Sequence, residues 1–222
     1  QFYPGHARHP SDENLGFGGT QDNGWLKYTG GLDWSGVTCG DGAWAAIDPN
    51  FPTTVYANCQ QIDVRRSVSD GNFGTFAQVR NEIFTSGDRV QFIPPFVHDP
   101  SPDPARSGTL YFGTCRIWQT QNYANNWTAI SPDLTGTGSP AGCPSPGGVL
   151  TTIAVAPTDS NTVYAGSSLG RVQRTTNALA GSGAVWTDLT TADLPPRFVT
   201  MVAVDTSDPN IAYVAYSGFS GF

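Results

Sequence analysis

Ile153-Ala154-Val155-Ala156-Pro157, answered a few residues later by Val163-Tyr164, decides the fold, because the chain repeats it. Ala45-Ala46-Ile47-Asp48-Pro49 leads to Val55-Tyr56, and Val202-Ala203-Val204-Asp205-Thr206 leads to Ala212-Tyr213. Diverged copies stand at Arg8-His9-Pro10 with Leu15-Gly16-Phe17, and at Val97-His98-Asp99-Pro100 with Leu110-Tyr111-Phe112. The anchors fall at positions 9, 48, 99, 156 and 205, so the period is 39 to 57 residues. A period in that range, filled with short strands and Gly/Pro turns, predicts a radial all-β array, a β-propeller of four-stranded antiparallel blades. The expected blades are 1–40, 41–88, 89–146 and 147–196, with a partial blade at 197–222.

Composition agrees with this reading and narrows the function. The 222 residues include 26 Gly and 17 Pro, which suits many tight turns and excludes long helices. Only 13% of residues are charged, so packed sheets and neutral polar loops carry the fold rather than ion-pair networks. A formal charge of −7 and 11 scattered basic residues argue against a nucleic-acid partner, which needs a concentrated basic surface. No apolar run approaches the ~20 residues needed to cross a bilayer. The absence of a signal-peptide pattern suits a mature or trimmed polypeptide. The four cysteines form no C-x-x-C pair, which removes zinc, redox and haem readings. Their even number in a Tyr/Trp/Gly-rich chain predicts two disulfides and a secreted or cell-surface location. Asn126-Trp127-Thr128 is a glycosylation sequon, of consequence only in a eukaryotic secretory pathway.

Within each blade a third strand reads basic-apolar-x-polar: Val64-Arg65-Arg66-Ser67, Arg116-Ile117-Trp118-Gln119 and Arg171-Val172-Gln173-Arg174. A fourth opens on an aromatic residue at Trp34, Phe76, Trp127 and Trp186, placed to fill the space between blades. Between them lie Ser67-Val68-Ser69-Asp70-Gly71, Asn122-Tyr123-Ala124-Asn125-Asn126-Trp127 and Thr175-Thr176-Asn177. These resemble worn Asp-boxes, the Ser-x-Asp-x-Gly-x-x-Trp hairpins of neuraminidase-type repeats, with an Asp or Asn capping the turn and Gly taking positive φ. The strings Gly18-Gly19-Thr20-Gln21-Asp22-Asn23-Gly24, Leu110-Tyr111-Phe112-Gly113-Thr114 and Pro196-Arg197-Phe198-Val199-Thr200 are similar to exported bacterial Asp-box propellers. That group is related in fold to sortilin-type and xyloglucanase propellers. The resemblance covers essentially the whole chain and speaks to fold far more than to activity.

The blade count of about four and a half predicts a segment of a larger propeller, with further blades from the same or another chain, because a ring leaves no bare sheet edge. A closed ring of five small blades, patched by the irregular insert from Asn81 to Arg89, is the alternative.

In a propeller the second-to-third-strand loops and the connections between blades emerge on one face. That grouping places Gln21, Asp22, Asn23, Asp41, Gln60, Gln61, Arg116, Arg171 and Arg197 on a common rim, together with Cys39, Cys59, Cys115 and Cys143. The expected pairs are Cys39–Cys59 and Cys115–Cys143, each contributing roughly 3 kcal/mol through the unfolded state. Trp25, Tyr123 and Phe219 are the aromatic residues expected to meet a protein or glycan partner. Asp22 is the sharpest catalytic candidate: its loop resembles the one carrying a catalytic carboxylate in xyloglucanases, whose second carboxylate comes from a different propeller and has no match here unless Asp41 fills the role. The spelling Asp22-Asn23-Gly24 equally describes an Asx turn. Arg116, Arg171 and Arg197 hold repeat positions rather than the contexts of a sialidase arginine triad. Asp12, Asp99, Asp103, Asp159 and Asp208 fall in turns on the opposite face, where capping is the simpler role, and His6 and His9 precede a Pro turn. Neither a metal nor a cofactor is expected.

The leading expectation is therefore a non-catalytic extracellular module that presents a disulfide-stiffened loop face to a protein or glycan. A glycoside hydrolase fragment using Asp22, and an architectural subunit of a surface layer or filament, are the alternatives.

Overall fold

A computed structural model describes residues 1–136, 143 and 146–218; Phe219 lies outside them. Strands β1 (Ala7–Arg8), β2 (Gly16–Thr20), β3 (Gly24–Tyr28) and β4 (Trp34–Thr38) form the first antiparallel sheet, in sequence order. The second contains β5 (Gly42–Ile47), β6 (Val55–Cys59), β7 (Val64–Ser67) and β8 (Ala77–Gln78), followed by a short helix, α1 (Asn81–Thr85). The third contains β9 (Phe96–His98), β10 (Thr109–Gly113), β11 (Ile117–Gln121) and β12 (Thr128–Ala129). The fourth contains β13 (Leu150–Ala156), β14 (Asp159–Ser167), β15 (Val172–Thr175) and β16 (Trp186–Asp188). A final two-stranded sheet pairs β17 (Val199–Val204) with β18 (Ala212–Tyr216). This is the all-β propeller arrangement that the repeat predicts.

The turn chemistry is the reason these residues form short strands. Where the first strand ends, a carboxylate caps the backbone of the turn: Asp48 Oδ1 accepts from Asn50 and Phe51, Asp99 from Ser101, and Asp205 from Ser207 and Asp208. Such a side-chain acceptor offers the N–H groups an alternative to continuing the ladder. Asp12, Asp103, Asp159 and Asp208 cap their turns in the same way.

The first strands lie innermost. Tyr3, Trp44, Phe92, Thr151 and Met201, each in or just before the first strand of its own sheet, line one concavity of about 390 Å³. The sheets stack face to face around it, through four apolar layers. Phe17 and Trp25 meet Val55 and Ala57 between the first and second sheets, and Tyr56 and Val64 meet Phe96 and Trp127 between the second and third. Tyr111 and Ile117 meet Ile153 and Val163 next, and Tyr164 and Val172 meet Val199 and Val202 last.

Two recurrent aromatic positions lock the layers. The residue at the fourth strand reaches back to the preceding sheet: Phe76 meets Trp25 edge-on at 5.5 Å, Trp127 Nε1 donates to the Val79 carbonyl (2.7 Å), and Trp186 Nε1 donates to the Ile130 carbonyl (2.8 Å). The second-strand tyrosine faces forward, and the Tyr164 hydroxyl donates to the Pro209 carbonyl at 2.9 Å. The binding role expected of Trp25 does not fit its place in the fold. Trp25 is fully buried and stacked on Phe17 at 4.8 Å, so it is a packing residue and cannot meet a ligand. Although it follows an exposed loop, it is the second residue of β3, and its side chain points into the layer between sheets.

Candidate loop-face site

The loop face is built by one recurrent contact: the hairpin between second and third strands touches the connection leading to the next sheet. In the first sheet the backbone N–H of Asp22 donates to Asp41 Oδ1 at 2.7 Å. In the second, the N–H of Gln61 donates to the Phe92 carbonyl at 2.8 Å. In the fourth, Gly170 lies against Pro195–Arg197. The hairpin tips are tight enough to force positive φ on side-chain-bearing residues, 62° at Asp22 and 53° at Gln61, where the fourth sheet uses Gly170 at 80°. Only glycine adopts that region freely, so the first two tips hold their conformation through the surrounding contacts.

Both disulfides lie on this face. Cys39 joins Cys59 (Cα–Cα 5.7 Å), tying the end of the first sheet to the hairpin of the second. Cys115 joins Cys143 (Cα–Cα 6.0 Å), tying the third sheet's hairpin to the connection into the fourth. These are the pairs that the repeat positions give. The insert after the second sheet is fastened beside them. Asp88 is buried, and its carboxylate accepts from Thr114 Oγ1 (2.9 Å), Arg116 Nε (2.8 Å) and Nη2 (3.0 Å), and Trp118 Nε1 (2.9 Å). Arg89 donates to the Gly148 carbonyl (3.0 Å) and pairs with buried Asp133 (2.8 Å). Asp88 and Arg89 went unnoticed in the sequence because an irregular insert has no period from which to argue.

The expected site residues sort into two groups. Gln21, Asp22 and Asn23 are exposed, Asp41 sits beneath them, and Gln60 reaches toward Gly40 next to the disulfide. These five form one cluster. Within it Asn23 Nδ2 donates to the Gln21 carbonyl (3.0 Å) and Asp41 caps the Asp22 amide, so the loop is closed by its own polar groups. The three arginines do not join it. Arg116 is committed to Asp88, Arg171 pairs with Asp188 at 3.2 Å, and Arg197 lies beside Gly218. At Asp188 partial burial pushes the carboxyl up, but hydrogen bonds from Thr190 and the Arg171 guanidinium outweigh that and hold it below its ordinary value. Tyr123 belongs to the hairpin between β11 and β12, where its carbonyl accepts from Arg66 and its ring meets Phe51 edge-on. The one compact group of potential metal ligands among the described residues is Asp88, Cys115 and Cys143, and the disulfide uses both sulfurs.

No family model matches the chain, and no curated protein matches it. Solved structures do. An ancestral GH74 enzyme superposes with a TM-score of 0.70 at 15% identity, over 97% of this chain and 27% of its own. The GH74 xyloglucanase from Xanthomonas campestris gives 0.66 at 16%, over 95% of this chain and 35% of its own. A GH74 enzyme from Niastella koreensis gives 0.66 at 18%, over 97% and 33%. The chain thus spans about a third of the length of these proteins, and at such identities the likeness is one of fold.

Proposed function

We propose that this chain is an exported propeller module that binds a glycan on its disulfide-braced loop face and does not itself hydrolyse it. The supporting observation is the combination of rigidity and exposure. Two disulfides and the amide bonds at Asp22 and Gln61 brace the loops, while Gln21, Asp22, Asn23 and Gln61 remain open to solvent. Braced loops lose little entropy when a ligand docks, and exposed amides and carboxylates suit the hydroxyl groups of a sugar. Two disulfides fit an oxidising compartment. That one structural neighbour is a xyloglucanase makes a glycan a more natural ligand than a protein.

One observation favours a second reading. The bond from the Asp22 amide to Asp41 brings two carboxyl-bearing residues together on an open face, as a hydrolase needs. Against it, Asp41 is already engaged as a loop cap. The two readings separate in one experiment. Polymeric xyloglucan is offered to the purified chain, with retention in affinity electrophoresis and release of reducing ends both followed. Retention without release is the expected result. Release that disappears in Asp22→Asn would replace the binding module with the hydrolase, and neither retention nor release would remove both.

A further inference from the structure

A concavity of about 270 Å³ opens on the same face between the second and third sheets, walled on one side by α1. Its lining divides by chemistry. Ile62, Phe84 and Val90 supply an apolar wall, and Gln60 and Gln61 supply amides that make no side-chain hydrogen bond among the described residues. The charged groups are all matched inside the protein: Asp63 by Arg65 (2.7 Å) and Arg80 (3.7 Å), and Asp88 by Arg116 (2.8 Å). No uncompensated charge is left to attract a phosphate, a carboxylate or a cation. Phe84 is 58% exposed, and the Arg80 guanidinium carbon lies 4.2 Å from its ring centre, which fixes the ring's orientation while part of it stays open. Two further lining residues are fixed, Gln61 by its N–H on the Phe92 carbonyl and Asp88 by the Trp118 indole N–H.

We propose that this pocket is a subsite for a single neutral pyranose ring. A pyranose has an apolar C–H face and an edge of hydroxyls that both donate and accept. An apolar wall beside two free amides matches those two surfaces, and a volume just under the usual range for small-molecule sites suits one ring rather than several. Charge compensation selects neutral sugars over uronates. This inference rests on the glycan-binding reading but can fail separately from it.

The test is amide-resolved NMR of the chain titrated with cellotetraose, with tetragalacturonate as the charged comparison. Shifts are expected at Gln61, Phe84 and Val90 with cellotetraose and not with tetragalacturonate. Two variants spare the fold: Phe84→Ala alters an exposed ring, and Gln61→Gly removes the amide at a backbone position that glycine prefers. Each should raise the Kd about fivefold, the loss of one ordinary contact. If shifts centre on Asp22 and Asp41 and both variants bind normally, the subsite is overturned while the module reading stands. The same holds if polymeric glucan is retained yet cellotetraose shifts nothing. Equal binding of tetragalacturonate overturns the selection for neutral sugars, and no binding of any glycan overturns both.

Discussion

Trp127 and Trp34 hold the same place in the repeat, at the opening of the fourth strand, yet they live in different environments. Trp127 is 3% exposed, wedged between the second and third sheets with its indole N–H on the Val79 carbonyl. Trp34, on the outer flank of the first sheet, is 38% exposed, and its ring meets those of Phe2 and Tyr28, each at 5.2 Å. The tyrosines show the same split. Tyr164 is 2% exposed and bonded to Pro209, whereas Tyr213, its equivalent on the last sheet, is 65% exposed. The repeat therefore chooses the residue type, while the neighbouring sheet determines how much that residue contributes. A periodic position is a statement about the family of interfaces and not about any one of them.

The largest expected consequence is at the tryptophans. Trp127→Ala removes a buried indole and leaves a cavity together with an unsatisfied carbonyl, at a cost of about 3–5 kcal/mol. Trp34→Ala should cost clearly less, because 38% of its surface stays in water on folding where Trp127 leaves only 3% exposed. Urea denaturation of the two variants measures the gap. Equal losses would break the comparison and show that Trp34 is packed in solution.

How far the sequence carried can be argued from the same residues. The Asp-Pro turns, the Val-Tyr strands and the fourth-strand aromatics were legible because each is a local requirement repeated at a fixed period, and local requirements survive without knowledge of the neighbours. The cysteine pairs followed once the strands were in order. Trp25 was misjudged because alternation along a strand decides which face a side chain takes, and the loop beside it concealed the register. The pocket wall at Phe84, the Asp88 cluster and the Asp48–His98 contact join residues up to 50 positions apart across two sheets or an aperiodic insert. No spacing rule reports on such contacts. For the loop face the sequence supplied the members of the Asp22 cluster but could not show that the arginines beside it were already engaged.

A smaller effect tests the same contrast through charge. Asp48 and Asp205 cap equivalent turns, one between sheets and one at the surface. Burial pushes the Asp48 carboxyl up, but the His98 imidazole at 3.4 Å and the amides of Phe51 and Asn50 outweigh it and hold it down at about 2, against an ordinary 3.8. A carboxyl depressed in the folded state stabilises it above the unfolded pKa and loses that contribution as pH falls through the folded one. The contribution, of order 2 kcal/mol, should be complete above about pH 4 and vanish toward pH 2. Asp205 is also held below its ordinary value, by Ser207 and the amide of Asp208, but in a half-exposed turn with no ionic partner among the described residues. Thermal melts from pH 5 to pH 2 should accordingly flatten more in Asp48→Asn than in Asp205→Asn, both changes having the same sign. A slope that survives in Asp48→Asn would mean that the acid-sensitive contact lies elsewhere.

The smallest effect is the sharpest, since it concerns one oxygen atom. Tyr164→Phe removes the hydroxyl that meets the Pro209 carbonyl at 2.9 Å and leaves that acceptor without its donor, for about 1 kcal/mol. Tyr213→Phe removes a hydroxyl that water already serves, so its effect should lie within error. The loss at Tyr164 should also be local. The bond joins the fourth sheet to the turn between β17 and β18, so hydrogen exchange should quicken at the amides of Ala203 and Tyr213, a hydrogen-bonded pair of that ladder, while those of the second sheet keep their protection. Faster exchange spread evenly over all five sheets would instead mean that the sheets open as one unit, and the distinction between inner layers and outer flanks would then describe burial without describing stability.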